Sequence, residues 1–239
     1  MVRFGLIGAS GYVAPRHMEA IKNVNGELVT ILDPNDSVGI IDRFHPKASY
    51  FSEYERFDRE VDRLKRMGKG LDYISIASPN YLHDAHIRFA LKNGSHAICE
   101  KPLVLNPYSI TSLEELEKET GKKIYPILQL RLHPTIISLK ESVGKKNEVQ
   151  LKYVTPRGKW FHYSWKGDLV KSGGIATNIG IHFFDMLLWI FGSVKNNFVE
   201  YHTNYKAGGY LELERANVSW ELSVDERDLP HDDWKAFRS

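Results

Sequence analysis

The stretch GLIGASGYVAPRH, residues 5–17, decides the fold, because it places a glycine-rich turn between a strand-like and a helix-like run. Gly8, Gly11 and Ala14 stand three residues apart, one residue more than in the Gly-x-Gly-x-x-Gly/Ala dinucleotide fingerprint. Gly8 permits the tight turn, Gly11 lets the backbone approach a pyrophosphate, and Ala14 lets the helix lie close to the strand. A tight turn without a ligand is the alternative. Candidate cofactor contacts in this loop are Gly8, Gly11, Tyr12 and Val13.

The second strand-like run, ELVTILD, ends at Asp33. A carboxylate at this position can accept hydrogen bonds from both ribose hydroxyls and repels a 2′-phosphate, which favours NAD over NADP. The alternative is a turn residue ahead of Pro34. We favour the cofactor role, because the glycine turn follows the first strand and opens the first helix.

The period of the apolar residues changes along the chain. Residues 1–130 alternate between strand-like and helix-like runs, which indicates βαβ units and a parallel sheet. The runs 196–205, 209–214 and 216–225 alternate with period two, which is typical of an antiparallel sheet with one solvated face. We therefore predict an α/β protein. A Rossmann dinucleotide-binding domain at 1–130 precedes an α+β domain with an open, mainly antiparallel sheet at 131–239.

The same pattern predicts the individual elements. Helices are expected at 15–24, 58–67, 83–94, 109–121, about 134–143 and 175–191. Strands or extended segments are expected at 2–8, 27–33, 71–78, 96–101, 122–131 and 148–161, ahead of the three alternating runs.

Composition excludes several classes of protein. The 239 residues include 26% charged residues and carry a net charge of +2, which gives no basic excess for nucleic acid or an anionic membrane. The most apolar segment, 179–192, is too short to span a bilayer. Cys99 is the one cysteine, so an internal disulfide is impossible and a reducing compartment fits. We predict a cytoplasmic protein with no nucleic-acid or membrane partner.

Polar residues follow the strand LDYISIAS, at the sheet edge where ligands bind in such folds. The candidate cofactor contacts there are Ser78, Pro79, Asn80 and His83. A turn and helix cap is the alternative, and both can hold. His83 and His86 share a helix face, but such a pair is usually solvated, and we predict no metal.

The strand HAICEK ends at Lys101, where a nicotinamide would lie. A lysine there is a poised donor, and its pKa can fall near a cationic cofactor, so it could act as acid or base. The alternative is a surface lysine paired with a neighbour. Cys99 most plausibly packs inside the strand.

Three polar residues interrupt the apolar helix predicted at 175–191. Asn178, His182 and Asp185 are spaced i, i+4 and i+7, which would place them on one stripe. His182 could take a proton from a substrate hydroxyl, with Asp185 orienting its ring. A satisfied core histidine is the alternative, and a metal reading lacks a third ligand.

Basic and aromatic residues gather just before this helix. Nucleic acid is one interpretation, since aromatic side chains among cations stack bases, but the cluster is short. A small anionic substrate with an aromatic base, such as a nucleotide sugar, fits the cluster better. The alternative without a ligand is a solvated strand face. The cluster comprises Arg131, Arg157, Lys159, Lys166 and Lys171 with Trp160, Phe161, Tyr163 and Trp165.

Together these residues resemble the glucose-fructose oxidoreductase and inositol dehydrogenase superfamily, whose Glu-Lys-Pro motif carries the catalytic lysine. The motifs are GLIGASGYVAPRH, SPNYLH, CEKPL and GGIATNIGIHFFD. The superfamily usually has an aspartate where this chain has Asn178. That departure fits a branch that YVAPRHMEAIK, ILQLRLHPTIISLK, YVTPRGKWF, SWKGD and GGYLELE also resemble, the UDP-N-acetylglucosaminuronate 3-dehydrogenases.

The resemblance implies NAD-dependent oxidation of the 3′-hydroxyl of UDP-2-acetamido-2-deoxy-D-glucuronate, for surface polysaccharide synthesis, with 2-oxoglutarate able to recycle NADH. It implies that Lys101 holds the reacting hydroxyl, His182 is the likelier base and Asn178 positions the sugar. Glu100, Lys101 and Gln129 would contact the cofactor. The residues implied to bind substrate are Lys101, Arg131, Arg157, Lys159, Trp165, Thr177, Asn178 and His182.

Relatives of this type continue beyond the position of HDDWKAFRS, residues 231–239. An unfinished antiparallel sheet would expose an edge, so we expect either a truncated chain or a homo-oligomer, dimer or tetramer, that covers it. Two further functions therefore stay open: another sugar or cyclitol dehydrogenase, and a non-catalytic NAD-binding protein.

Overall fold

The computed structural model describes residues 1–36 and 38–229, and HDDWKAFRS lies outside them. The chain divides into two compact units, Met1–Ile127 and a second that begins at Leu128. We propose that these units correspond to the predicted domains at 1–130 and 131–239.

The first unit is built on six parallel strands. They are β1 (Arg3–Ile7), β2 (Glu27–Leu32), β3 (Ser49–Phe51), β4 (Tyr73–Ile76), β5 (His96–Cys99) and β6 (Ile124–Pro126). They lie in the order β3-β2-β1-β4-β5-β6, and every neighbouring pair is parallel. This is the Rossmann order, and its direction reverses between β1 and β4, where ligands bind.

Five helices cover the faces of this sheet. They are α1 (Ala14–Asn23), α2 (Ile40–Phe44), α3 (Tyr54–Arg66), α4 (His83–Lys92) and α5 (Ser109–Thr120). Pro15 lies in the first turn of α1, where its missing amide costs nothing, and Gly121 ends α5 with a positive φ of 66°. Leu6, Ile31 and Ile74 are fully buried, as expected for strands covered on both faces.

The second unit is an α+β fold. Its helices are α6 (Pro134–Ser142), α7 (Trp160–Tyr163), α8 (Leu169–Ser172), α9 (Gly174–Asn178) and α10 (Gly180–Phe191). Its strands are β7 (Asn147–Val154), β8 (Val194–His202), β9 (Lys206–Leu213) and β10 (Ala216–Ser223). The sheet runs β7-β10-β9-β8, antiparallel except for the parallel pair β7–β10. Leu187 and Ile190 of α10 share one apolar core with Val218 and Leu222 of β10.

The predicted fold class is confirmed, and three predicted elements are wrong in extent. The helix expected at 175–191 is two helices that meet at Ile179, and the bend between Leu169–Asn178 and Gly180–Phe191 is 41°. The strand expected at 122–131 ends at Pro126, and Gln129–Leu132 forms a 3₁₀ turn. The extended run expected to reach Phe161 ends at Val154.

Membrane-spanning helices and metal centres can be assessed within residues 1–36 and 38–229. No single helix there has both the length and the apolar character to cross a membrane; the bent pair Leu169–Asn178 and Gly180–Phe191 passes jointly, by length and composition only. No group of three or more His, Cys, Asp or Glu side chains there is arranged to hold a metal ion.

Candidate cofactor site and catalytic motif

The glycine turn is fixed by its neighbours in the sheet. The Gly8 amide donates to Leu32 O at 2.8 Å, and Gly8 has a φ of +95°. A Cβ at this position would lie 2.6 Å from the carbonyl carbon of Ala77 and from Ser78 N. Only glycine fits there, because both the positive φ and the close backbone exclude a side chain. The turn is thereby pressed against the loop that follows β4.

At Gly11, packing within the protein does not require a glycine. A Cβ there would meet Ala77 O at 3.5 Å and Gly8 O at 3.7 Å, which are ordinary contacts, so no protein neighbour excludes a side chain. The loop leads directly into α1, whose first turn offers backbone amides and a positive dipole end. The open backbone at Gly11 and this helix start fit the diphosphate of a dinucleotide.

Asp33 follows β2 and its side chain is engaged from two sides. Oδ2 accepts from the Ser10 amide at 2.7 Å and from the Ser10 hydroxyl at 2.8 Å. Oδ1 accepts from the Asn35 amide at 2.9 Å and from Asn35 Nδ2 at 3.0 Å. Ser10 lies between Gly8 and Gly11, so the glycine loop itself holds the Asp33 carboxylate. The residue is only 2% exposed, and these hydrogen bonds show the turn-forming role; its predicted contact with the ribose stays a prediction.

Ser78, Asn80 and His83 are buried at the end of β4. His83 Nδ1 lies 2.6 Å from Pro102 O, and its Nε2 lies 2.8 Å from Ser78 O. Desolvation lowers the pKa of His83, against the two carbonyls and the Glu100 charge, which raise it. His83 thus ties the loop after β4 to the loop after β5. Its predicted contact with a cofactor stays a prediction, as do those of Ser78, Pro79 and Asn80.

The burial of His86 predicts that the first unit loses stability in acid. Its Nδ1 lies 2.9 Å from Ser78 Oγ, and desolvation, aided by the His83 charge, lowers the pKa of His86 to about 4. The unfolded chain binds this proton near pH 6.5, so the folded form loses stability as the pH falls from 6.5 towards 4. We expect the unfolding free energy to drop by about 3 kcal/mol over that window.

Urea unfolding at pH 7, 5.5 and 4 measures this loss. His86→Asn keeps a group opposite Ser78 but cannot titrate, so its stability should change distinctly less with pH. An identical pH dependence in both proteins would contradict the assignment.

Lys101 follows β5 and is half-buried, and the Lys101–Pro102 peptide bond is cis. The preceding Glu100 extends the sheet, because its amide donates to Ile76 O at 2.9 Å. Desolvation raises the pKa of the Glu100 carboxyl, but the hydrogen bond and charge of His17, with Lys101, outweigh it and leave the pKa lowered. Burial raises the pKa of Cys99 and keeps its thiol protonated, so this side chain packs as predicted.

His17 is a residue that the sequence analysis missed. It lies on α1, 3.2 Å from Glu100 Oε1 through Nε2 and 2.6 Å from Ser75 Oγ through Nδ1. The stretch PRHMEAIK reads as an ordinary amphipathic helix. The only available signal was a histidine one turn after Ala14, on the face that the helix buries.

In the second unit, the predicted stripe is broken. Asn178 ends α9, and His182 and Asp185 belong to α10. Both oxygens of Asp185 accept from Arg131, with Nε at 2.8 Å from Oδ2. The Asp185 carboxylate therefore anchors an arginine 54 residues earlier in the chain, and its predicted role in orienting the His182 ring stays a prediction. This bidentate pair also raises the pKa of Arg131.

Apart from Arg131, which lies in the 3₁₀ turn Gln129–Leu132, the basic and aromatic cluster lies between β7 and α9. Arg157 and Lys159 are exposed, and Trp165 and Thr177 are half-buried. Lys166 Nζ lies 5.4 Å from the ring centroid of Trp160 and 5.7 Å from that of Trp165. Desolvation and the Arg157 charge lower the pKa of Lys166. Cations beside exposed aromatic faces can bind an anion and stack a base, which is the chemistry of a nucleotide.

Solved structures similar to this chain include the WlbA (WbpB) dehydrogenase of Thermus thermophilus. One structure of it contains NAD and α-ketoglutarate, and another contains NAD and UDP-GlcNAcA. Each is 52% identical to this chain, with a TM-score of 0.93 over 96% of it. The match covers 75% and 76% of those chains.

Curated relatives are more distant. Glucose-6-phosphate 3-dehydrogenase of Bacillus subtilis is 27% identical over 210 residues, and inositol 2-dehydrogenase of Rhizobium meliloti is 25% identical over 195 residues. The matches cover 81% and 80% of this chain, but only 55% of each relative, so the chain spans about half their length.

Family models cover most of the described chain. The model described as "Oxidoreductase family, NAD-binding Rossmann fold" matches residues 2–127. The model described as "Oxidoreductase family, C-terminal alpha/beta domain" matches residues 140–223. The Rossmann strand order, the glycine turn and the Glu-Lys-Pro motif agree with the first of these. The chain therefore belongs to the GFO/IDH/MocA oxidoreductase family, and its first unit is the NAD-binding domain of that family.

Proposed function

We propose that this protein oxidises the 3′-hydroxyl of UDP-2-acetamido-2-deoxy-D-glucuronate to the 3-keto sugar with NAD. The observation that carries the proposal is the 52% identity to the Thermus thermophilus dehydrogenase solved with NAD and UDP-GlcNAcA. We further propose that the product serves surface polysaccharide synthesis of the lipopolysaccharide O-antigen type. The α-ketoglutarate bound by the same Thermus enzyme supports 2-oxoglutarate as the oxidant that recycles NADH.

The residues of the first unit would hold NAD at the carboxyl ends of the strands. Gly8, Gly11, Tyr12 and Val13 would carry the pyrophosphate, and Asp33 would accept from the adenosine ribose. When bound, NAD supplies the acceptor for the hydride that leaves C3 of the sugar. The remaining proposed cofactor contacts are Ser78, Pro79, Asn80, His83, Glu100, Lys101 and Gln129.

Lys101 would hold the reacting hydroxyl through its ammonium group, and His182 would accept the hydroxyl proton. Loss of this proton must accompany loss of the hydride, so a base is required. Asn178 would position the sugar. Arg131, Arg157, Lys159, Trp165 and Thr177 would bind the UDP-uronate. The Asp185 carboxylate supports this by fixing the Arg131 guanidinium.

A second function has its own support. The similarity to glucose-6-phosphate 3-dehydrogenase and inositol 2-dehydrogenase favours another sugar or cyclitol dehydrogenase. It predicts turnover of free sugars or sugar phosphates and indifference to UDP. A non-catalytic NAD-binding protein would bind the cofactor and turn over none of these.

One assay separates the three functions. We expect NADH absorbance at 340 nm to rise when the protein meets NAD and UDP-N-acetylglucosaminuronate, and 2-oxoglutarate to extend the reaction. The controls are glucose, myo-inositol and glucose 6-phosphate at equal concentration. Faster turnover of any control would refute the nucleotide-sugar assignment. No turnover at all, together with calorimetric NAD binding, would leave the non-catalytic function.

We propose a cytoplasmic location, which the single buried Cys99 and the nucleotide-linked chemistry support. We also propose a homo-oligomer, dimer or tetramer, without nucleic-acid or membrane partners and without a bound metal. Phe198 of the edge strand β8 is 64% exposed and supports association.

A further inference from the structure

His17 occupies a position where an apolar residue would satisfy the packing. It belongs to the buried face of α1 with Ala14, Met18 and Ile21, and it is 9% exposed. A buried imidazole costs free energy unless its nitrogens find partners. Helix α1 therefore carries the polar side chain of His17 on its buried face, where packing of the fold does not require a polar group.

Both ring nitrogens of His17 have partners, and they lie on adjacent strands. Nδ1 is 2.6 Å from Ser75 Oγ within β4, and Nε2 is 3.2 Å from Glu100 Oε1 directly after β5. A carboxylate only accepts hydrogen bonds, so the network assigns the proton to Nε2. In the neutral ring, Nδ1 then accepts from the Ser75 hydroxyl. His17 thereby connects helix α1 with Glu100, the residue before Lys101.

Glu100 is held at both ends. Its amide continues the sheet by donating to Ile76 O, and its carboxylate, with the side chain 16% exposed, meets His17. The peptide bond that follows leads straight to Lys101. Fixing both the backbone and the side chain of Glu100 fixes the starting point and the electrostatic surroundings of the Lys101 side chain.

We infer that His17 is a positioning residue for the dehydrogenase reaction: by holding the Glu100 carboxylate it sets the geometry and charge beside Lys101. The inference rests on the proposed function of Lys101 and adds a residue to it. His17 also lies one turn after Ala14 at the start of the cofactor helix. Helix α1 thereby follows directly after the proposed pyrophosphate contacts and carries the residue that supports the catalytic motif.

Two amide variants separate the two contacts. The amide nitrogen of His17→Gln can replace Nε2 and keep the bond to Glu100, whereas His17→Asn reaches only the position of Nδ1 near Ser75. We expect His17→Asn to lower kcat by about 10²-fold, as small misplacements of reacting groups do, with an unchanged NAD dissociation constant. His17→Gln should retain kcat within about threefold. Glu100→Gln removes the charge that His17 holds while leaving the His17 side chain in place, and it should lower kcat as His17→Asn does.

A second readout needs no substrate. Reductive methylation of Lys101, followed by mass spectrometry, should change in rate several-fold in His17→Asn and Glu100→Gln but not in His17→Gln. Equal labelling in all variants, or equal loss of kcat in both His17 variants, would overturn the inference. If the wild-type protein leaves the UDP-sugar unoxidised, the proposed function fails, while the labelling still decides the role of His17.

Discussion

Lys101→Ala is expected to lower kcat for the nucleotide sugar by about 10²- to 10⁴-fold, the range typical of a lost proton-transfer or polarising group. Lys101 follows β5 directly after a glutamate anchored by its amide and its carboxylate, so we expect no neighbouring side chain to replace the ammonium group. NAD binding should change little, because the diphosphate and adenosine contacts belong to other loops. Stopped-flow absorbance at 340 nm measures the rate, and calorimetry measures the cofactor affinity.

The matched control is Lys118→Ala, which removes an exposed lysine from α5 and should leave kcat unchanged. His182→Asn should cost a comparable factor, and Lys101→Ala/His182→Asn together should cost little more than the worse single change. Such non-additivity is the signature of groups that act as a unit. Full additivity, or full activity in either single variant, would refute the catalytic assignment.

Gly8→Ala is expected to destabilise the first unit by about 3 kcal/mol and to weaken NAD binding by more than about 100-fold. The new Cβ meets the backbone of Ala77 and Ser78 at 2.6 Å, and the backbone φ of +95° is unfavourable for alanine. Neither neighbour is a flexible side-chain end, so the turn must move away from β4. Urea unfolding and calorimetry with NAD give the two quantities.

Gly11→Ala is the matched comparison within the same turn. Its Cβ meets only ordinary contacts, so the thermal midpoint should stay within about 2 °C. If a pyrophosphate packs against this backbone, NAD affinity should nevertheless fall by about tenfold or more. Unchanged NAD affinity in Gly11→Ala would place the diphosphate elsewhere. Equal destabilisation by both substitutions would contradict the described turn.

Much of the fold was predictable because its signals are local. A few consecutive residues are enough to recognise the glycine turn, the apolar strands and the glycine that ends α5. The break at Ile179 was not predictable, because an apolar run keeps its character whether the helix continues or bends. The strand β3 and the helix α2 were missed because each has five residues or fewer, too short to establish a period.

The contacts of the site were less predictable than its residue types. Asp33 and Lys101 were found because strand ends in a parallel sheet meet at one edge. The i, i+3 spacing predicted that Asp185 orients the His182 ring. The oxygens of Asp185 bind Arg131, a partner that only the tertiary fold brings near. The same holds for His17 and Glu100, which are 83 residues apart in the chain.

The parallel pair β7–β10 has a consequence for the order in which the chain acquires structure. Within residues 38–229, β7 lies at the sheet edge with β10 as its one neighbour, and its residue Asn147 pairs with Ala216. During synthesis, β7 leaves the ribosome long before its partner exists. The first unit has one pairing of similar separation, Phe4 of β1 with Tyr73 of β4, and its other strand pairs are much closer in the chain. The segment between β7 and β10 must close into a loop before the pairing of these two strands contributes any free energy. The cofactor domain therefore assembles first, and the second sheet waits until residue 223 has emerged.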